Sequence, residues 1–86
     1  MAKVLIYSKD PCPYCVNAKR LLTNKGVSFE EIDLTHQPDE MQRLKNLYSW
    51  RTVPMIVIND QFIGGYDDMK ALDREGKLDP LLGIQA

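Results

Sequence analysis

The chain has 86 residues, 44% of them hydrophobic and 27% charged, with a net charge of −1. These values describe one small globular domain with room for a single core, and they give no electrostatic case for nucleic acid or an anionic membrane. No run of 18 or more apolar residues is present to span a bilayer.

Met1-Ala2-Lys3-Val4 enters a strand-like run at once and lacks the apolar region of a signal peptide. With two cysteines and no disulfide framework, the reducing cytoplasm is the expected compartment. Val4 to Tyr7 is apolar at every position, which predicts a strand covered on both faces. A loop from Ser8 to Pro11 leads into Cys12-Pro13-Tyr14-Cys15. From Tyr14 to Lys25, Cys15, Ala18, Leu21 and Leu22 recur at helical spacing, and Gly26 stops the helix. Val27 to Leu34 reads as a second strand whose alternation breaks between Phe29 and Ile32, as an edge strand or a bulge allows. Strand, helix and strand in about 30 residues make a βαβ unit, so these two strands are expected to be parallel.

Thr35 to Asp39 is a turn holding the sole histidine, His36, expected to be solvated. A second helix runs from Pro38 or Asp39 to about Ser49, with Met41, Leu44, Leu47 and Tyr48 as its apolar stripe. Trp50-Arg51-Thr52 is a loop. Met55 to Ile58 is a second wholly apolar strand, and Asn59-Asp60 a two-residue hairpin turn into Gln61-Phe62-Ile63. Gly64-Gly65 ends that strand. Asp67 and Asp68 cap and charge a third helix, Asp68 to Glu75. Leu78 to Leu82 forms a last helical turn, after which the tail is expected to fray. The order β-α-β-α-β-β-α predicts an α/β fold. A mixed four-stranded sheet would have the two apolar runs as central neighbours and helices on both faces.

A Cys-x-x-Cys between a strand and a helix is the context of a redox motif. At the first turn of a helix a thiol meets unpaired backbone N–H groups and the positive end of the macrodipole, and Lys9 adds a charge three residues upstream. Cys12 is therefore the expected nucleophile, and Cys15, one turn further in, the resolving thiol. Lowering a thiol pKa from about 8.5 to roughly 5 raises the thiolate fraction about 30-fold at neutral pH, but intrinsic nucleophilicity falls by a similar factor. The gain lies in departure, since a low-pKa sulfur leaves a mixed disulfide readily. A zinc site would need two more ligands, and only His36 and carboxylates are available. A structural disulfide over so short a loop would stabilise little.

Cys12-Pro13-Tyr14-Cys15, Thr52-Val53-Pro54 and Gly64-Gly65-Tyr66-Asp67-Asp68, in this order and spacing, resemble the glutaredoxins of the thioredoxin superfamily. The likeness is closest to small bacterial dithiol members and covers essentially all of residues 1–86. The resemblance implies one thioredoxin-like domain and a glutathione-dependent thiol–disulfide oxidoreductase. Cys12 takes up the glutathionyl group, and Cys15 resolves mixed disulfides with proteins. Pro54 matches the family's cis-proline, which would hold Val53 so that its backbone pairs with the cysteinyl part of glutathione. Lys9 would meet the glycyl carboxylate, with Arg51 as a helper. The amides of Asp67 and Asp68 would take the γ-glutamyl carboxylate at a helix N-terminus, and an Asp side chain the ammonium. Tyr14, Thr52, Gly65 and Tyr66 complete the groove.

Two departures from the family pattern stand out. Tyr66 replaces the cysteine that many glutaredoxins carry after Gly-Gly, and Met41 with Gln42 lies where some place a glutamine against the glycyl carboxylate. The resemblance further implies a monomer, glutathione as reducing co-substrate and no metal. Its protein partners would be disulfide-containing or glutathionylated, ribonucleotide reductase among the candidates. Two rival readings are a redoxin reduced directly by thioredoxin reductase and an iron–sulfur scaffold shared through glutathione. The groove residues count against the first, and the stiff Pro13 against the second.

Overall fold

The computed structural model describes residues 2–84. Its elements are β1 (Val4–Ser8), α1 (Pro13–Asn24), β2 (Glu30–Asp33), α2 (Pro38–Tyr48), β3 (Met55–Ile58), β4 (Gln61–Gly64), α3 (Tyr66–Arg74) and α4 (Leu78–Leu82). The four strands form one sheet in the order β2-β1-β3-β4. β1 runs parallel to β2, with Leu5 beside Glu30, and antiparallel to β3, with Leu5 opposite Val57. β3 and β4 are antiparallel, with a register irregularity between Ile56 and Val57. The expected mixed sheet is present, with the two apolar runs as its central pair. Asn59 and Asp60 both have positive φ, 52° and 65°, which is the backbone that a tight primed hairpin turn demands. Among the described residues no helix is long and apolar enough to cross a membrane.

Because β1 and β3 are central, their alternate side chains feed both faces of the sheet. Val4, Ile6, Ile56 and Ile58 point to one side and pack with Ala18 and Leu22 of α1, Met69 of α3 and Leu78 and Leu82 of α4. Met55 points to the other side and packs with Leu34 and with Met41 and Leu44 of α2. The expectation of a single core is corrected here: the sheet divides the apolar interior into two layers.

Several boundaries shift for physical reasons. β2 is four residues long rather than eight. Phe29 precedes it and packs on the α1 layer, while Ile32 packs on the α2 layer, so the broken alternation records side chains committed to opposite faces of an edge strand. Leu47 is 60% exposed and leaves the α2 stripe, whereas Tyr48 turns in to stack on Phe62 with ring centroids 4.4 Å apart. α1 ends at Asn24 with Lys25 as its C-cap, followed by Gly26 at φ 72° in the left-handed conformation, as expected of a helix stop. The lysine's ammonium then ties α1 to the C-terminal helices, 2.7 Å from both Asp73 and Asp79. Of the tail expected to fray after Leu82, Gly83 and Ile84 are bonded back to α4, the Ile84 amide donating to the Asp79 carbonyl at 2.9 Å, while residues 85–86 lie outside the described residues.

Candidate functional site

β1 delivers the chain to the motif at the sheet's C-terminal edge, and Cys12 is the N-cap of α1 in extended backbone. Its Sγ accepts the Cys15 amide N–H at 3.1 Å and lies 3.8 Å from the Val53 carbonyl oxygen. Pro13 opens the helix, where the missing N–H costs nothing, and the first turn carries no carboxylate. The positive end of the helix is thus left for sulfur. Cys12 is half-buried, Cys15 is 2% exposed, and the two sulfurs are bonded to each other. In the reduced state the same amide and dipole favour a Cys12 thiolate.

Beside the motif, α1, the loop after α2 and the start of α3 enclose a cleft of about 220 Å³. One wall is Trp50, Thr52, Val53 and Pro54, and the other is Gly65, Tyr66, Asp67 and Asp68, with Tyr14 at the rim. The Val53–Pro54 peptide is cis. α3 begins two residues earlier than Asp68, because the Asp68 carboxylate reaches back to accept the Gly65 amide at 2.9 Å and caps the helix from inside. The first intrahelical bond runs from the Met69 amide to the Gly65 carbonyl, so the amides of Asp67 and Asp68 belong to the unpaired first turn. Gly64 is required twice over: its φ is 122°, and a Cβ there would lie 2.6 Å from the Asp68 carboxylate.

The glutaredoxin family model matches residues 4–63. Glutaredoxin 3 of Escherichia coli K12 is 49% identical over 82 residues, covering 95% of this chain and 99% of its own. A glutaredoxin of Pseudomonas aeruginosa is 46% identical over 82 residues, with coverage of 95% and 98%. Among solved structures, a buckwheat glutaredoxin–glutathione complex superposes with a TM-score of 0.88 at 32% identity, covering 95% of this chain and 77% of that one. The solution structure of a Brucella melitensis glutaredoxin gives 0.85 at 42%, covering 100% and 96%. The chain belongs to the glutaredoxin family.

This glutaredoxin has the thioredoxin-like fold expected of it, and its Cys12–Cys15 pair makes it a thiol–disulfide oxidoreductase. Of the residues singled out from sequence, Tyr14, Thr52, Val53, Pro54, Gly65, Tyr66, Asp67 and Asp68 line one cleft. Lys9 and Arg51 do not. Lys9 shares a second cavity with Cys12 and Cys15 on the other side of the motif, and Arg51 lies beside Gln42, Lys45 and Asn46 at the end of α2. Met41 is buried in the α2 layer and Gln42 is exposed, donating to Asn46 at 3.0 Å. Tyr66 faces Tyr14 with ring centroids 6.4 Å apart, and the Lys70 ammonium sits 5.9 Å over the Tyr66 ring.

Trp50 escaped the sequence reading, which left it in a loop. Its ring meets Phe62 edge-on at 5.3 Å, and its indole N–H is buried without a partner among the described residues. The only available signal was a lone tryptophan two residues before Thr52-Val53-Pro54. A polar cluster behind the cysteines was missed as well. Ser8 is 3% exposed, and its hydroxyl donates to Glu31 at 2.8 Å; the Lys19 ammonium meets the same carboxylate oxygen at 2.9 Å. Lys19 and then Ser8 hold the Glu31 carboxyl below its ordinary pKa.

Proposed function

We propose that this glutaredoxin reduces glutathione mixed disulfides and protein disulfides with glutathione as its electron donor. The carrying observation is the cleft beside Cys12, which sets the Val53 backbone against a helix N-terminus at Asp67 and Asp68. Glutathione is a short peptide with two carboxylates and one ammonium. The Val53 main chain would pair with its cysteinyl unit as an added strand. The free amides of α3 suit its γ-glutamyl carboxylate, and the Asp67 side chain suits its ammonium, since Asp68 is occupied as a cap. For the glycyl carboxylate the candidate cations are Lys9, which shares a cavity with Cys12, and Arg51, which precedes Thr52, although neither lines the cleft itself. The buckwheat relative, solved as a glutathione complex, supports this reading.

In the reaction, the Cys12 thiolate attacks the glutathionyl sulfur of the substrate, forming a Cys12–glutathione disulfide. The substrate departs as a thiolate and takes up a proton. A second glutathione thiolate then attacks the bound glutathionyl sulfur, releasing glutathione disulfide and the Cys12 thiolate. With a protein disulfide, Cys15 instead attacks Cys12, and two glutathiones later reduce the Cys12–Cys15 bond. A separate NADPH-dependent reductase would regenerate glutathione. The protein would act as a cytoplasmic monomer on glutathionylated or disulfide-containing partners such as ribonucleotide reductase.

The test is NADPH consumption with a small mixed disulfide, supplying either glutathione with glutathione reductase or thioredoxin reductase alone. Turnover confined to the glutathione system is the expected result. Turnover with thioredoxin reductase alone would overturn the glutathione assignment and leave the cysteine roles standing.

A further inference from the structure

Cys15 must lose its proton to close the ring, yet its side chain is almost wholly buried. It borders a cavity of about 260 Å³ on the side of the motif away from the glutathione cleft. The charged groups around that cavity are Lys9 and Asp10 from the loop after β1, Lys19 from α1, and Glu31 and Asp33 from β2. Three of these five are carboxylates, an environment that opposes a thiolate. Asp33 is engaged by the Thr35 amide and hydroxyl, and Glu31 by Ser8 and Lys19. Lys9 lies in the loop on the Cys12 side of the motif, whereas Lys19 stands four residues after Cys15 on the same helix, the spacing that stacks side chains on one face.

We propose that Lys19 is the counter-ion of the Cys15 thiolate during ring closure, and that once the Cys12–Cys15 bond is made its ammonium returns to Glu31, whose carboxylate Ser8 holds. In the bonded state Cys15 has no charge and Lys19 rests on Glu31. When Cys15 ionises in the mixed disulfide, its proton leaves through the cavity to solvent, and the Lys19 ammonium turns toward the sulfur. The Cys15 sulfur then attacks Cys12, the Cys12–Cys15 bond forms, and the substrate leaves as a thiolate that takes up a proton. Two electrons pass from the dithiol to the substrate disulfide. Lys19 thus acts on the resolving step and not on the first attack by Cys12. This extends the glutaredoxin reading but needs only the dithiol chemistry.

The test uses pre-reduced protein mixed with excess disulfide in the absence of free glutathione, with quenched samples followed by mass spectrometry. The Cys12 adduct and the closed protein differ in mass, so adduct formation and ring closure are read separately across pH. Lys19→Gln should slow closure about fivefold at neutral pH and move its pH midpoint upward, with adduct formation within about twofold of the parent. Lys19→Arg should restore closure, and Glu31→Gln, which frees the ammonium, should quicken it. Unchanged closure in Lys19→Gln, or equal slowing of both steps, would overturn the proposal. Slower closure in Glu31→Gln would also do so, by making the carboxylate itself the active group. Glutathione disulfide and hydroxyethyl disulfide are run in parallel. A protein with no use for glutathione then forms its adduct with the second alone, and the closure rate is still read.

Discussion

At the level of single residues, the site divides its labour between side chains that look equivalent in sequence. Asp67 and Asp68 are adjacent and both exposed, but only Asp68 carries the cap on Gly65. Asp68→Ala should therefore destabilise the protein by about 1 kcal/mol, a loss of roughly 4–8 °C in a domain of this size. Asp67→Asn should leave the melting temperature unchanged and raise KM for a glutathionyl substrate about threefold, the weight of one exposed ion pair. The two cysteines divide in the same way. Cys15→Ser keeps the nucleophile and its helix cap, so reduction of small glutathionyl disulfides should persist while reduction of protein disulfides falls steeply. Cys12→Ser should lose both, and steady-state turnover on the two substrate types separates the outcomes. Appreciable activity in Cys12→Ser would remove Cys12 from its role.

Helices and strands are joined by ion pairs whose dependence on pH has opposite signs. Hydrogen bonds from Lys25 to Asp73 and then Asp79 raise the lysine's pKa above its ordinary 10.5. A raised lysine contributes stability below its unfolded value and loses it as pH climbs through the folded one. The contact of α1 with α3 and α4 should therefore weaken above about pH 10.5, and Lys25→Met should abolish that alkaline decline in chemical denaturation curves. Glu31, between β2 and α1, is the reverse case. Lys19 and then Ser8 lower its pKa from the ordinary 4.5, so its contribution is present above that value and lost on acidification. The parent should lose more stability than Glu31→Gln as pH falls below 4.5, measured by urea unfolding at successive pH values.

For the whole molecule, the sheet separates two apolar layers that share β1 and β3 as a common wall. Neither layer can be lost without exposing the strands that support the other. A domain of 86 residues with this arrangement should unfold in one step. Trp50, the single tryptophan, reports on the α2 layer, where it packs against Phe62. Leu22→Ala lies in the opposite layer and should cost about 2–5 kcal/mol. It should shift the Trp50 fluorescence transition and the far-UV circular dichroism transition by the same amount. Separate midpoints would show that the layers melt independently.

The sequence by itself determined the order of elements, the central strand pair and the redox motif. These depend on local pattern: apolar runs long enough for buried strands, helical spacing from Cys15 to Leu22, and two residues able to make the hairpin turn at Asn59-Asp60. The family motifs also located eight residues that line one cleft beside the cysteines, because each motif is itself a short local stretch. Only the tertiary structure decided what depends on packing across the chain. It turned Leu47 outward and Tyr48 inward, a choice made by the Phe62 ring on β4. It assigned the cap to Asp68 rather than Asp67, brought Trp50 to the cleft wall, and separated Lys9 from Arg51. It also joined Ser8, Lys19 and Glu31 behind Cys15. These three residues come from β1, α1 and β2, and nothing local in any of those segments records that the βαβ crossover places them together.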